Sequence, residues 1–203
     1  MQAYLDLRSE IDFEKLKKPA EIIRNGGIVI FPTETVYGIG TNGLDEKAIK
    51  KLYEVKKRPF DKPISLLVSG IEMIEKVAKD ISEKEYELMK KHFPGPFTII
   101  LKKKNIVPDI LTANGEYVGV RVPDNEIARK LIEDAGVPIA APSANISGKD
   151  SGTRIKDIIN DFDGKVDYII DCGESKLGIS STVVKVVDEI PVVLRQGSVE
   201  VKW

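Results

Sequence analysis

The chain has 203 residues, 42% of them hydrophobic and 31% charged, with a formal net charge of −1. That length and balance suit one globular unit with a substantial core and argue against disorder. The charge excludes a global electrostatic pull toward nucleic acid or an anionic membrane, so contact with RNA would need a local basic patch. A single cysteine, Cys172, excludes an internal disulfide and any paired-cysteine zinc or redox motif, and a single histidine, His92, excludes paired-histidine metal motifs. Residues 1–10 carry Asp6, Arg8 and Glu10 and lack an apolar core, so no signal peptide is expected, nor does any apolar run approach the ~20 residues of a membrane span. The expectation is a cytoplasmic protein.

Short apolar runs alternate with amphipathic stretches, predicting an α/β architecture of α+β type with a mixed sheet. Phe13, Leu16, Ala20 and Ile23 share a helical face that Gly26 and Gly27 close, although Pro19 requires that helix to kink or to begin late. A strand is expected at 28–31. Asp45 is placed to cap a helix running to Lys57, with Ala48, Leu52 and Val55 inward. Strands follow at 64–68 and 97–101, separated by a helix whose capping box is Ser82 and Glu85. Further strands are expected at 117–122 and 137–141, around a helix that Asp124 caps and Gly136 ends. Thr153 would cap one more helix, to Phe162. Strands at 168–171, 181–187 and 192–195 complete the set, the last two joined at Asp188 and Glu189 as a hairpin.

Function is expected in the loops rich in Gly, Ser, Thr and Pro. If residues 33–37 continue the preceding strand, Thr33, Thr35 and Tyr37 present three hydroxyls to one side; a plain turn uses the same residue types. Lys56 and Arg58 end a helix, where cations merely offset the dipole. Pro59 and Pro63, however, stiffen the loop between them, and fixed cations at Lys56, Arg58 and Lys62 suit a polyphosphate. In the alternating strand 118–122, Gly119 and Arg121 share the face opposite three valines, so Arg121 either lines a cavity, meets a carboxylate or faces solvent. Ser143 and Asn145 offer hydrogen bonds from a loop of small residues. Cys172 reads as structural and His92 as a surface helix-end residue. The P-loop, dinucleotide, hydrolase-elbow and zinc-protease motifs are all missing from the sequence.

Taken in sequence, GGIVIFPTETVYGIG, KKRPFDKPISLLV, HFPGPFTIIL, VGVRVP, PIAAPSANISG, STVV and LRQG resemble the YrdC-like, threonylcarbamoyl-AMP synthase family over about residues 26–197. The resemblance is to the short form, a single YrdC-like catalytic domain over 1–203. It implies an open twisted mixed sheet flanked by helices around a deep basic cavity. It also implies a nucleotidyltransferase that condenses L-threonine, bicarbonate and ATP to threonylcarbamoyl-AMP and pyrophosphate, with Mg2+ bound on the ATP. Carried onto this sequence, Lys56 and Arg58 become the catalytic candidates. Thr35, Arg121, Ala141, Ser181 and Thr182 would bind threonine, and Arg58, Lys62, Tyr117, Ser143, Asn145, Ser151 and Arg195 would bind ATP. No dedicated metal ligands are implied. The implied partners are the proteins that transfer threonylcarbamoyl to tRNA, with possible tRNA contact through a basic patch and none with a membrane. A histidine common in the long form after the strand following KxR is replaced here by the run Ser65, Leu66, Leu67, Val68. Two rival readings accompany this one: a carbamoyl-transfer module of hydrogenase maturation, and a non-catalytic RNA-binding module.

Overall fold

The computed structural model describes residues 3–201; Met1, Gln2, Lys202 and Trp203, the ends of the expected unit, lie outside them. The strands are β1 (Ala3–Asp6), β2 (Val29–Phe31), β3 (Gly38–Asn42), β4 (Leu66–Leu67), β5 (Phe97–Lys102), β6 (Tyr117–Arg121), β7 (Ile139–Ala140), β8 (Tyr168–Asp171), β9 (Thr182–Val187) and β10 (Ile190–Arg195). The helices are α1 (Lys17–Arg24), α2 (Glu46–Lys56), α3 (Ile71–Val77), α4 (Glu83–His92), α5 (Glu126–Ala135) and α6 (Ile155–Phe162). The strands form one ten-stranded sheet in the order β1-β8-β2-β3-β7-β4-β6-β5-β9-β10. Pairing is mixed: β1–β8, β8–β2, β4–β6 and β5–β9 run parallel, and the remaining neighbours antiparallel.

Local chemistry explains the helix ends. A 3-10 turn, Phe13–Leu16, precedes α1, so Pro19 falls in the first α-helical turn, where its missing N–H costs nothing. Leu16, Ala20 and Ile23 point inward as expected, but Phe13, on the 3-10 turn, is 38% exposed. Asp45 caps α2 by accepting from the Lys47 and Ala48 amides, and Ser82 and Glu85 form the expected capping box on α4. Two expected caps are corrected. The α5 cap is Asn125, whose side chain accepts from the Ala128 amide, while Asp124 pairs with Arg129. For α6, Arg154 occupies the cap position with no side-chain bond, and Thr153 lies outside it.

The strands expected at 64–68 and 137–141 shrink to the two-residue β4 and β7, which share a pairing. Strands β1 and β3 and helix α3 were not expected. Gly38, Ile39 and Gly40 read as loop until β3 is flanked by β2 and β7. Asp188 and Glu189 both adopt left-handed φ, 51° and 62°, as a tight hairpin turn between β9 and β10 requires. Helices α1 and α2 pack over β3, α1 also packs on α5, and α4 packs on β5. The buried core runs continuously between the helices and the sheet.

Candidate active site

The central strand β6 buries both of its faces. Val118 and Val120 enter the core, while Gly119 and Arg121 turn to the opposite side. A Cβ at Gly119 would come within 2.5 Å of the Ser65 hydroxyl, so the glycine lets the segment before β4 close against β6. Arg121, 7% exposed, lies opposite Leu67 in the parallel register. Its Nη2 donates to Thr35 Oγ1 at 3.1 Å and stands 2.7 Å from a Glu34 carboxylate oxygen. Cavity and carboxylate, offered as alternatives by the sequence, both hold.

Residues 33–37 do not continue β2. They bend, with Thr33 Oγ1 donating to the Val36 carbonyl (2.6 Å) and lying 2.9 Å from Thr35 Oγ1. The three hydroxyls therefore part company. Thr35 faces Arg121, whereas Tyr37 donates to the Gly173 carbonyl and accepts from the Cys172 amide. Hydroxyl capture of local backbone outweighs strand extension here.

At the end of α2 the chain turns through Lys57 at φ 51°, and Arg58 is clamped by its own loop. Its Nε donates to the Lys62 carbonyl (3.0 Å) and its Nη2 to the Pro63 carbonyl (2.8 Å), so the proline-bracketed loop aims this guanidinium. Lys56 points the other way and is 1% exposed. Its Nζ donates to the carbonyls of Ser143 and Asn145, each at 2.5 Å. Burial above all, then the charge of Arg58, pulls this ammonium down to about 7. Ser143 Oγ donates to Asn145 Oδ1, and the Asn145 amide donates to the Lys149 carbonyl.

The last wall comes from the hairpin. Arg195 Nη2 donates to the Ser181 carbonyl at 2.9 Å, and Ser181 Oγ lies 2.8 Å from Thr98 Oγ1. Gly197 permits this: a Cβ there would stand 2.3 Å from the Ser180 carbonyl oxygen. Burial, then the charges of Arg121 and Arg58, lower the Arg195 pKa.

These elements enclose a cavity of about 160 Å³ lined by Arg58, Arg121 and Arg195 together with Thr35, Ala141, Ser143 and Ser181. No acidic side chain lines it among the described residues. Three guanidinium groups far apart in sequence thus meet at one opening, with hydroxyls between them. Such a lining suits an anion carrying several oxygens.

Other expected site residues stand back from the cavity. Lys56 and Asn145 shape its rim from behind. Lys62 contributes its carbonyl to Arg58, and Thr182 Oγ1 is occupied by the Val199 carbonyl and the Gly197 amide. Tyr117 is at the far end of β6 under the Lys185 ammonium, 3.5 Å from the ring centroid, and Ser151 lies outside the lining. Thr98, Ser65 and Ser180 line the cavity but were missed. Thr98 had a signal, as a hydroxyl within an apolar strand run. Cys172 matches its structural reading, with burial pushing the thiol up to about 12. His92 is half-buried, its ring 4.8 Å from that of Phe97, and so more than a surface residue.

Residues 21–197 match the family model Sua5_yciO_yrdC, described as telomere recombination. The chain belongs to the Sua5/YciO/YrdC family. It is 46% identical over 197 residues to the threonylcarbamoyl-AMP synthase of Pyrococcus abyssi, covering 97% of this chain and 58% of that protein. It is 41% identical to the enzyme of the same name from Bacillus subtilis, with the same two coverages. The chain thus spans little more than half the length of these relatives. The solved structure of P. abyssi Sua5 complexed with L-threonine superposes with a TM-score of 0.93 at 45% identity, covering 97% of this chain and 58% of that one. No helix among the described residues is long and apolar enough to cross a membrane.

Proposed function

We propose that this chain carries the catalytic domain of an L-threonylcarbamoyladenylate synthase, a nucleotidyltransferase of the cytoplasm that makes threonylcarbamoyl-AMP for tRNA modification. The observation that carries the reading is the convergence of Arg58, Arg121 and Arg195 on one hydroxyl-lined cavity. The names of the relatives favour this reading over carbamoyl transfer for hydrogenase maturation and over passive RNA binding.

In the proposed reaction, threonine's amine attacks the bicarbonate carbon, forming a C–N bond as a C–O bond breaks and water leaves, which gives a carbamate. A carbamate oxygen attacks the α-phosphorus of ATP, forming the new P–O bond as the bond to pyrophosphate breaks. Both partners are anions, so the protein's main task is to hold them together with fixed cations and oriented donors. Arg121, steadied by Thr35 and Glu34, receives the threonine carboxylate, and Ser181 and the Ala141 backbone complete that pocket. Arg58 and Arg195 take the phosphates, and Lys56 keeps the Ser143–Asn145 segment in shape beside them. Magnesium would enter on the triphosphate, retaining its waters and needing few protein ligands. The lining fits that route, since it offers cations and hydroxyls to phosphate oxygens. The product then passes to the proteins that transfer threonylcarbamoyl to tRNA.

Pyrophosphate release from ATP, followed with threonine and bicarbonate omitted in turn, tests the reading. Release should require both. Release without threonine would discard the proposal, and tight, salt-sensitive RNA binding with no turnover would favour the RNA-binding alternative.

A further inference from the structure

The floor of the arginine-lined cavity is apolar on one side and hydroxylic on the other, a division that holding anions does not require. Strands β4, β6 and β5 lie side by side there, and the parallel register sets Leu67 opposite Arg121 on one flank. On the other flank Ile99 pairs with Val120, which carries Thr98, one place earlier, beside Arg121. Arg121 therefore stands between an isobutyl group and a hydroxyl, and all three side chains line the cavity. Leu67 is 4% exposed and Thr98 2%, so a ligand group that reaches either has left water behind.

The hydroxyl side is a relay. Arg195 Nη2 donates to Ser181 Oγ at 3.3 Å, and Ser181 Oγ lies 2.8 Å from Thr98 Oγ1. Two hydroxyls carry two protons, and the bond between them takes up one. The other has no acceptor among the described residues. Because the guanidinium donates into Ser181, the favoured direction runs from Arg195 through Ser181 to Thr98, and the spare proton is that of Thr98. A buried donor left over in this way is satisfied by a ligand oxygen. Leu67 offers no such bond and suits a methyl group.

We propose that Thr98 determines which amino acid the cavity accepts, by donating to a hydroxyl on the ligand's Cβ while Leu67 takes the methyl group on the same carbon. This rests on the reading that threonine's carboxylate meets Arg121. With the carboxylate held there, the substituents of Cβ reach the side chains on either flank of Arg121. A Cβ that bears one methyl and one hydroxyl satisfies both flanks at once. L-allo-Threonine exchanges the two groups, setting its hydroxyl against Leu67 and its methyl against Thr98. L-Valine, with a methyl on each side, leaves the Thr98 donor unpaired, and a site built to bond a hydroxyl rejects the analogue that lacks it.

Calorimetric titration of these three amino acids into the protein tests the assignment. L-Threonine should bind about tenfold or more tighter than either L-valine or L-allo-threonine. Thr98→Val should cut the preference over valine to about threefold or less, weakening threonine while tightening valine. A merely structural role would weaken both together. Thr98→Ser, which keeps the hydroxyl, should keep the preference over valine. The threonine and allo-threonine comparison on the wild type needs no variant, so a Thr98→Val chain that fails to fold leaves the inference open to refutation. Equal wild-type affinity for those two, undiminished preference in Thr98→Val, or its loss in Thr98→Ser overturns the role of Thr98. Threonine binding without these preferences leaves the functional reading standing, whereas no threonine binding at all removes both.

Discussion

At Lys56 an ammonium group 1% exposed donates to two loop carbonyls and touches no cavity surface. Its pKa falls from 10.5 to about 7 on folding. Between those values the unfolded chain holds a proton that the folded chain has released, so this group makes stability rise with pH across that window and adds no slope below it. Lys56→Met removes the contribution. In urea denaturation at pH 7, 8 and 9, the stability advantage of the wild type over Lys56→Met should grow by up to about 1.4 kcal/mol per pH unit; a constant difference would show that Lys56 stays charged. Arg58 and Arg121 line the cavity, so under the proposed function the expectation for them concerns catalysis and not stability. Arg58→Ala and Arg121→Ala should each lower kcat/KM by roughly 2 kcal/mol or more, about thirtyfold, with near-wild-type turnover excluding them from the site. The motif KKR therefore divides its labour: one cation holds the wall and the other lines it. Sequence spacing does not reveal this, since α2 ends between them and Lys57 turns the chain through a left-handed residue.

Elements place these side chains through a few close approaches. The hairpin wall depends on Gly197, where an added Cβ would meet backbone at 2.3 Å. Backbone cannot swing aside as a flexible side chain can. Gly197→Ala should therefore displace Arg195 from Ser181 and weaken ATP binding about tenfold, with a smaller change in threonine affinity measured separately; equal loss for both ligands would point to general disorder of the hairpin. Away from the site, Ser82→Ala removes half of a capping box and should cost about 1 kcal/mol of stability, read as a lower Tm with kcat unchanged. This capping box was legible because Ser82 and Glu85 act on each other within one turn, unlike the caps of α5 and α6. Strand β3 was not, because its Gly, Ile and Gly acquire strand geometry only from β2 and β7 on either side.

Across the whole molecule a net charge of −1 coexists with a cavity framed by three arginines. The positive field at that opening is thus local and close-range. Raising NaCl from about 0.05 M to 0.5 M should weaken ATP binding by roughly tenfold through screening at the opening, and Arg195→Gln should make that dependence shallower. A salt dependence that Arg195→Gln leaves unaltered would mean that the phosphates bind elsewhere. The alternation of apolar runs and the glycine and proline punctuation established the mixed sheet, most of its strands and the loops that matter, because those patterns report on neighbours within a few residues. The ordered motifs established the family. Which of their residues face the cavity was settled by the fold: strand order brings Arg121 of β6 beside Thr35, 86 residues away, and the hairpin delivers Arg195 to the same opening. Burial against distant chain is a property of packing, and a sequence pattern does not carry that information.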